Sequence, residues 1–292
     1  MTHIINAELV IDSSCRLGEG PVWNEEGQYI SWVDIELNHF YQYWPVDGRS
    51  TRMMTPVTIG CYGWRKSGGL IVAGSEGIGI WDVEQNVYST IADPEHDQPY
   101  TRFNDGKCDP AGRFVAGTLS TREQPEGALY VLDHDLNVRK LLDGISCSNG
   151  ISWSADGTVM YYIDSMAQEV VSYDYDLGTG MLANPRTVVS YKGTDILPDG
   201  MTIDSEGMLW VAEWGGWAVT RWNPASGEKL ATVKVPSQYV TSCAFAGENS
   251  DTLFITTARQ DIEGEALQQQ PHSGGLFVAQ AGVTGSRSYS FG

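Results

Sequence analysis

The amino-acid sequence predicts an all-β fold, a six-bladed β-propeller with four antiparallel strands per blade, and three observations carry that prediction. A unit of polar residue, short apolar run, D-x-x-G-like turn, second apolar run and polar loop recurs six times. Its turns begin at Asn24, Arg65, Asp109, Ser154, Asp204 and Gly247, 41 to 50 residues apart, a period that suits four-stranded propeller blades. No long stretch places apolar residues at a 3.6-residue spacing. The 292 residues include 33 Gly, 14 Tyr and 10 Trp, a composition for many tight turns between aromatic-rich strands.

Taken in order, the segment Ala7 to Ile11 precedes the first copy of the unit. The first copy then runs from Gly20 to Trp23, turns at Asn24, returns over Tyr29 to Val33, and adds a hairpin of His39 to Tyr43 and Thr51 to Met54. That hairpin turns at Asp47 and Gly48, a pair that tolerates the positive φ of a short hairpin loop. The fourth copy is equally legible as Gly150 to Trp153, Val159 to Ile163, Val170 to Tyr173 and Thr187 to Ser190. The last copy runs out after Leu276 to Val278, so the two termini are expected to share one blade and close the ring, which leaves only short sheet edges. No linker or low-complexity tract interrupts the series, and residues 1–292 read as one propeller domain.

Composition narrows the function. A formal net charge of -19 repels phosphate backbones and anionic lipid, so neither nucleic acid nor membrane is expected as a partner. The start Met1 to Val10 has no basic or apolar leader region and no run of 18 apolar residues occurs, which predicts a cytoplasmic protein, monomeric or weakly homo-oligomeric. Five cysteines without a C-x-x-C pair indicate neither a disulfide framework nor a thiolate zinc site, and are expected to be buried, reduced and structural. The five histidines are scattered, and Ala73 to Gly77 has the wrong spacing for a serine-hydrolase elbow.

Five residues before each turn stand Glu19, Gly60, Asn104, Asn149, Asp199 and Ser242. If every first strand leaves the same face of the propeller, these positions ring the axis at one mouth, and five of the six bear a side-chain oxygen. The second strands return to that face and end at Asp34, Ser75, Thr118, Asp164, Glu213 and Thr256, an outer ring for which turn and cap duty is the ordinary use of such residues. The inner donors are carboxylates from Glu19 and Asp199 and amide carbonyls from Asn104 and Asn149. These are hard oxygens suited to Ca²⁺, Mg²⁺ or Mn²⁺. Two carboxylates neutralise a divalent ion, and so few protein ligands leave positions open to water and substrate, as a catalytic ion requires.

The stretches Leu17 to Trp23, Arg102 to Lys107, Ala116 to Thr118, Ser148 to Gly150, Pro198 to Met201 and Gly274 to Phe277 are similar, in that order, to motifs of the SMP-30/gluconolactonase family, the group of regucalcins and bacterial sugar lactonases. The resemblance covers roughly residues 14–280. It implies a six-bladed propeller that holds one divalent ion, calcium first with zinc, manganese and magnesium as alternatives, and hydrolyses a sugar lactone (an aldonolactone) to the aldonic acid. By that resemblance Glu19, Asn149 and Asp199 are the direct metal ligands, Asp199 doubles as the general base, and Arg102 and Asn104 contact the substrate. Vertebrate members carry an acidic substrate contact in the loop after the third unit's Gly-Thr. This chain has Ser120, Thr121 and Arg122 there, so Arg122 is expected to meet a different sugar. Two other uses of the scaffold remain open: a phosphotriesterase or other esterase, and a non-enzymatic calcium-binding regulatory propeller.

Overall fold

The computed structural model describes residues 3–122 and 124–292. After β1 (His3–Asn6) and β2 (Glu8–Ile11), four antiparallel four-stranded sheets follow one another along the chain. The first is β3 (Gly18–Asn24), β4 (Tyr29–Asp34), β5 (His39–Trp44) and β6 (Arg49–Met54); the second is β7 (Ile59–Trp64), β8 (Leu70–Gly74), β9 (Gly77–Asp82) and β10 (Val87–Ala92). The third is β11 (Thr101–Cys108), β12 (Phe114–Ser120), β13 (Gly127–Leu132) and β14 (Val138–Ile145); the fourth is β15 (Ser148–Trp153), β16 (Val159–Asp164), β17 (Glu169–Tyr175) and β18 (Leu182–Ser190). Two more runs follow: β19 (Leu197–Ile203), β20 (Leu209–Trp214), β21 (Ala218–Asn223) and β22 (Glu228–Lys234), then β23 (Tyr239–Ala246), β24 (Thr252–Ala258) and β25 (Leu276–Gln280). A single pairing, Trp214 with Tyr239, merges these into one nine-stranded sheet.

Both ends of the chain join that last sheet. β2 pairs antiparallel with β25, Glu8 opposite Val278, so the first and last segments share a run as the sequence leads one to expect. β1 does something else: it adds in parallel to the outer edge of β22, His3 opposite Ala231, and covers an edge that the repeat alone leaves open.

The predicted turns are held by the residues that mark them. Asp109 Oδ1 accepts from Ala111 N and Arg113 N, and Asp204 Oδ1 from Glu206 N and Met208 N, the side-chain mimicry of a backbone turn that makes Asp frequent there. The core lies between sheets rather than at one centre. Val115, Leu129 and Val131 pack on Ile151, Trp153 and Met160 of the next sheet, and Trp23 and Trp32 of the first sheet pack on Phe254 and Leu276 of the last. A fully buried side chain such as Ile71 or Ile255 contributes about 1.5–3 kcal/mol.

The innermost strands position the site. β3 neighbours β7, β7 neighbours β11, and so on through β15, β19 and β23, which neighbours β3. Each of the six breaks register with its partner once, and always near the same level: between Glu19 and Val22, Ile59 and Cys61, Phe103 and Gly106, Asn149 and Ile151, Pro198 and Met201, and Val240 and Ser242. A bulge re-aims side chains, and here the re-aimed level is that of the inner polar ring. Glycine follows where strands crowd: a Cβ on Gly150 would stand 2.7 Å from the Asp199 carbonyl oxygen and 2.7 Å from Met201 Cβ.

Candidate functional site

Glu19, Arg102, Asn104, Asn149 and Asp199 line one cavity of about 180 Å³ at the level of the bulges. Its wall is apolar, with Leu17, Leu119, Met166, Leu197 and Trp214, so polar groups are confined to the floor and a few points of the rim. Trp214 is fixed by stacking on Tyr239, ring centroids 4.2 Å apart.

The floor is ordered by a chain of hydrogen bonds. Arg102 Nη1 donates to the Phe103 carbonyl at 3.0 Å and to Asn104 Oδ1 at 2.9 Å. Asn104 Nδ2 donates to the Ser148 carbonyl at 2.9 Å and to Asn149 Oδ1 at 3.1 Å. Asn149 Nδ2 donates to Ser165 Oγ at 2.8 Å, and that hydroxyl donates to the Pro198 carbonyl at 2.6 Å. Both N–H groups of Asn104 are therefore spent as a brace, and the amide oxygens of Asn104 and Asn149, with one hydrogen bond each, both keep a free lone pair. Ser165, one residue beyond the outer ring, is a member of this network that sequence reasoning missed.

The two carboxylates are differently placed. Glu19 Oε2 accepts from Gly20 N at 3.0 Å, whereas Asp199 Oδ1 is buried without any hydrogen-bond partner, a costly state for a polar atom. Burial, then the charge of Asp105, pushes the Glu19 carboxyl up to about 8. Burial, then Glu19 and Asp105, drives Asp199 well above the usual carboxylate range. Burial lowers the Arg102 guanidinium, with Cys147 and Glu19 acting against it. The thiol of Cys147 also lines the cavity, contrary to the expectation that the cysteines serve only as core. Burial pushes it up to about 12, so it stays a protonated thiol and not a nucleophile.

Arg122 does not line this cavity. Its guanidinium lies over the Tyr100 ring, 3.0 Å from the centroid, and 3.6 Å from Glu126; Glu123, in the same connection between β12 and β13, lies outside the described residues. Ser242 and Gly60 of the inner ring also stay out of the cavity lining, the first buried against Gly200 and the second without a side chain. The outer ring is spent on the fold. Asp34 accepts from Arg16 N at 2.8 Å and Leu17 N at 3.2 Å, and Asp164 from Ser146 N and Cys147 N, both at 3.0 Å. These carboxylates hold the loops that enter β3 and β15, and so aim Glu19 and Asn149 indirectly. Glu213 accepts from Thr220 Oγ1 at 2.6 Å and Thr118 Oγ1 donates to Glu95 at 3.0 Å.

The residues fit a hard divalent cation. Two buried carboxyls near each other ionise together only against positive charge, Arg102 is turned to a carbonyl and an amide rather than to either of them, and Asp199 Oδ1 is left unpartnered. Among the described residues no three His, Cys, Asp or Glu side chains assemble for a metal; here the third oxygen comes from the amide of Asn149. Also among the described residues, no helix is long and apolar enough to cross a membrane.

A family model described as SMP-30/Gluconolactonase/LRE-like region matches residues 17–259. The chain is 37% identical over 294 residues to regucalcin of Oryctolagus cuniculus, covering 98% of each chain. It is 38% identical over 291 residues to a Bacillus subtilis protein provisionally named sugar lactone lactonase YvrE, covering 98% of this chain and 99% of that one. Among solved structures it resembles a calcium-binding protein, regucalcin, from Agrobacterium tumefaciens, with a TM-score of 0.94, 26% identity, and coverage of 100% of this chain and 99% of that chain.

Proposed function

The chain belongs to the SMP-30/gluconolactonase/LRE-like family, and from the cavity it builds we propose that it hydrolyses a sugar lactone to the aldonic acid with the help of one divalent ion, calcium before zinc, manganese or magnesium. The observation that carries the proposal is the pairing of two buried, uncompensated carboxylates with an amide oxygen on one cavity floor. Glu19, Asn149 and Asp199 are the residues that would hold the ion. Bound there, the ion would polarise the lactone carbonyl and favour the charge that gathers on its oxygen.

The chain's own groups do the rest. Asp199, ionised, takes a proton from the attacking water as its oxygen adds to the carbonyl carbon. Cleavage of the ring C–O bond then leaves a carboxylic acid and an alcohol, Asp199 returning its proton to the departing oxygen and the acid ionising to the aldonate in water. Asn104 holds Arg102 and Asn149 in register, and Arg102 offers its remaining N–H groups to substrate oxygens, a placement worth several kcal/mol when it is preorganised. Arg122 acts from the rim, on the loop that Tyr100 braces. In this reading residues 1–292 form one domain, a six-bladed ring that the two ends of the chain close on a shared blade.

A panel of γ- and δ-lactones, aryl esters and a phosphotriester assayed with Ca²⁺, Zn²⁺, Mn²⁺ and Mg²⁺ tests the proposal. Lactone turnover above that of the esters, lost on chelation, is the expected result. Faster turnover of the phosphotriester would move the activity to the esterase reading. Tight calcium binding without any turnover would favour a regulatory ion-binding role, the one that the calcium-binding relative's name suggests.

A further inference from the structure

Beyond the cavity floor the six first strands line a second, smaller cavity of about 40 Å³. Lys107 of β11 reaches into it, and its Nζ donates to the Met201 carbonyl of β19 at 2.9 Å. β15 stands between these two strands, so the side chain crosses the axis rather than bridging neighbours. Asp105, two residues earlier on β11, favours the charged form of this ammonium while burial opposes it. Asp105 itself is half-buried, accepts from Gly106 N at 2.7 Å, and repels both Glu19 and Asp199. Behind Lys107 the segment Ser286 to Tyr289 lies across the rear of the channel. It is pinned by Ser286 N to the Ile203 carbonyl at 3.1 Å and by Phe291 N to the Trp64 carbonyl at 2.8 Å. The tail covers that end, and a charge on the half-buried Lys107 acts on its neighbours with less screening than one on the open surface.

We propose that Lys107 is the fixed counter-charge of the metal site, a positioning residue that tunes the channel for a divalent ion. The proposal rests on the reading of the cavity floor as a metal site. Three carboxylates, Glu19, Asp105 and Asp199, act on one another, and Lys107 sets a fixed positive charge beside Asp105. Arg102, whose charge acts on Glu19, meets that carboxylate from the cavity they both line. Without Lys107 the channel is one charge more negative, which favours a more highly charged ion.

This role has a signature that a merely structural lysine lacks. A change in electrostatic potential acts on an ion in proportion to its charge, so any gain or loss in log affinity is about one and a half times as large for Tb³⁺ as for Ca²⁺. Calorimetric titration of the full-length protein with each ion, in the wild type, Lys107→Met, Lys107→Arg and Asp105→Asn, reads it out. Lys107→Met should bind Ca²⁺ about tenfold tighter and Tb³⁺ about thirtyfold tighter, Asp105→Asn should weaken both in the same proportion, and Lys107→Arg should stay within about twofold of wild type. If Lys107→Met does not fold, Asp105→Asn carries the test. Equal changes for the two ions, or none, would overturn the proposal while leaving the metal site in place. A wild-type protein that takes neither ion would overturn the site and the proposal together.

Discussion

Asp199→Asn separates metal binding from folding. In the metal-free protein Asp199 keeps its proton to well above the usual carboxylate range, because burial, Glu19 and Asp105 all act against its ionisation. Asparagine is then the neutral isostere of the side chain as it stands, and its substitution should leave metal-free stability within about 1 kcal/mol of wild type. Removal of one partner from a paired buried charge would instead cost about 3–5 kcal/mol. With Ca²⁺ at a hundred times its Kd the wild type gains about 2.7 kcal/mol. At roughly 2–4 °C per kcal/mol for a domain of this size that is a Tm rise of about 5–10 °C. The variant should gain none of it, and its lactone turnover should fall by about a thousandfold or more, since one group serves as both ligand and base. Thermal melts with and without calcium, beside a lactone assay, measure all three. A calcium-induced shift of wild-type size in the variant, or a loss of several kcal/mol without metal, would refute the reasoning.

Four further outcomes follow from the same geometry. Glu19, pushed up to about 8 from 4.5, contributes stability to the metal-free fold that is present below about pH 4.5 and lost as pH rises toward 8. The metal-free Tm should therefore fall across that window while calcium affinity rises, because ion and protons compete; a flat metal-free Tm would contradict it. Arg122→Ala should reorder preference among lactones and leave calcium affinity unchanged, since Arg122 is held by Tyr100 and Glu126 away from the floor; identical substrate ranking would remove the loop from the site. Gly150→Ala drives a Cβ to 2.7 Å from the Asp199 carbonyl oxygen and should cost about 1–3 kcal/mol in denaturant melts together with metal affinity. A net charge of -19 should favour neutral aldonolactones over lactones that bear a free carboxylate, and a preference for the charged ones that salt weakens would instead make Arg102 and Arg122 a carboxylate receptor.

The inner ring is legible because repeat phase converts directly into position around an axis. Glu19, Asn104, Asn149 and Asp199 share one phase, three of them directly before a glycine, and the bulges of their strands bring all four to one cavity. Strand and turn positions are legible for the same reason. What pattern cannot separate is a carboxylate that faces the mouth from one that caps a loop, since both stand at strand ends; Asp34 and Asp164 are of the second kind only because the amides of Leu17 and Cys147 pass within reach. Long-range partners leave no local trace either. Lys107 meets Met201 across 94 residues, β1 finds an edge on β22, and Ser165 joins Asn149 to Pro198, each through a contact that exists only once the strands are arranged.

The most direct measurement is a titration of metal-stripped protein with Ca²⁺ during continuous lactone hydrolysis, with bound ion counted in parallel. The account predicts turnover that rises in proportion to bound ion and saturates at about one ion per chain, with Asp199→Asn flat throughout. Full turnover in the chelated protein, or one ion bound tightly with no lactone hydrolysed, would contradict it.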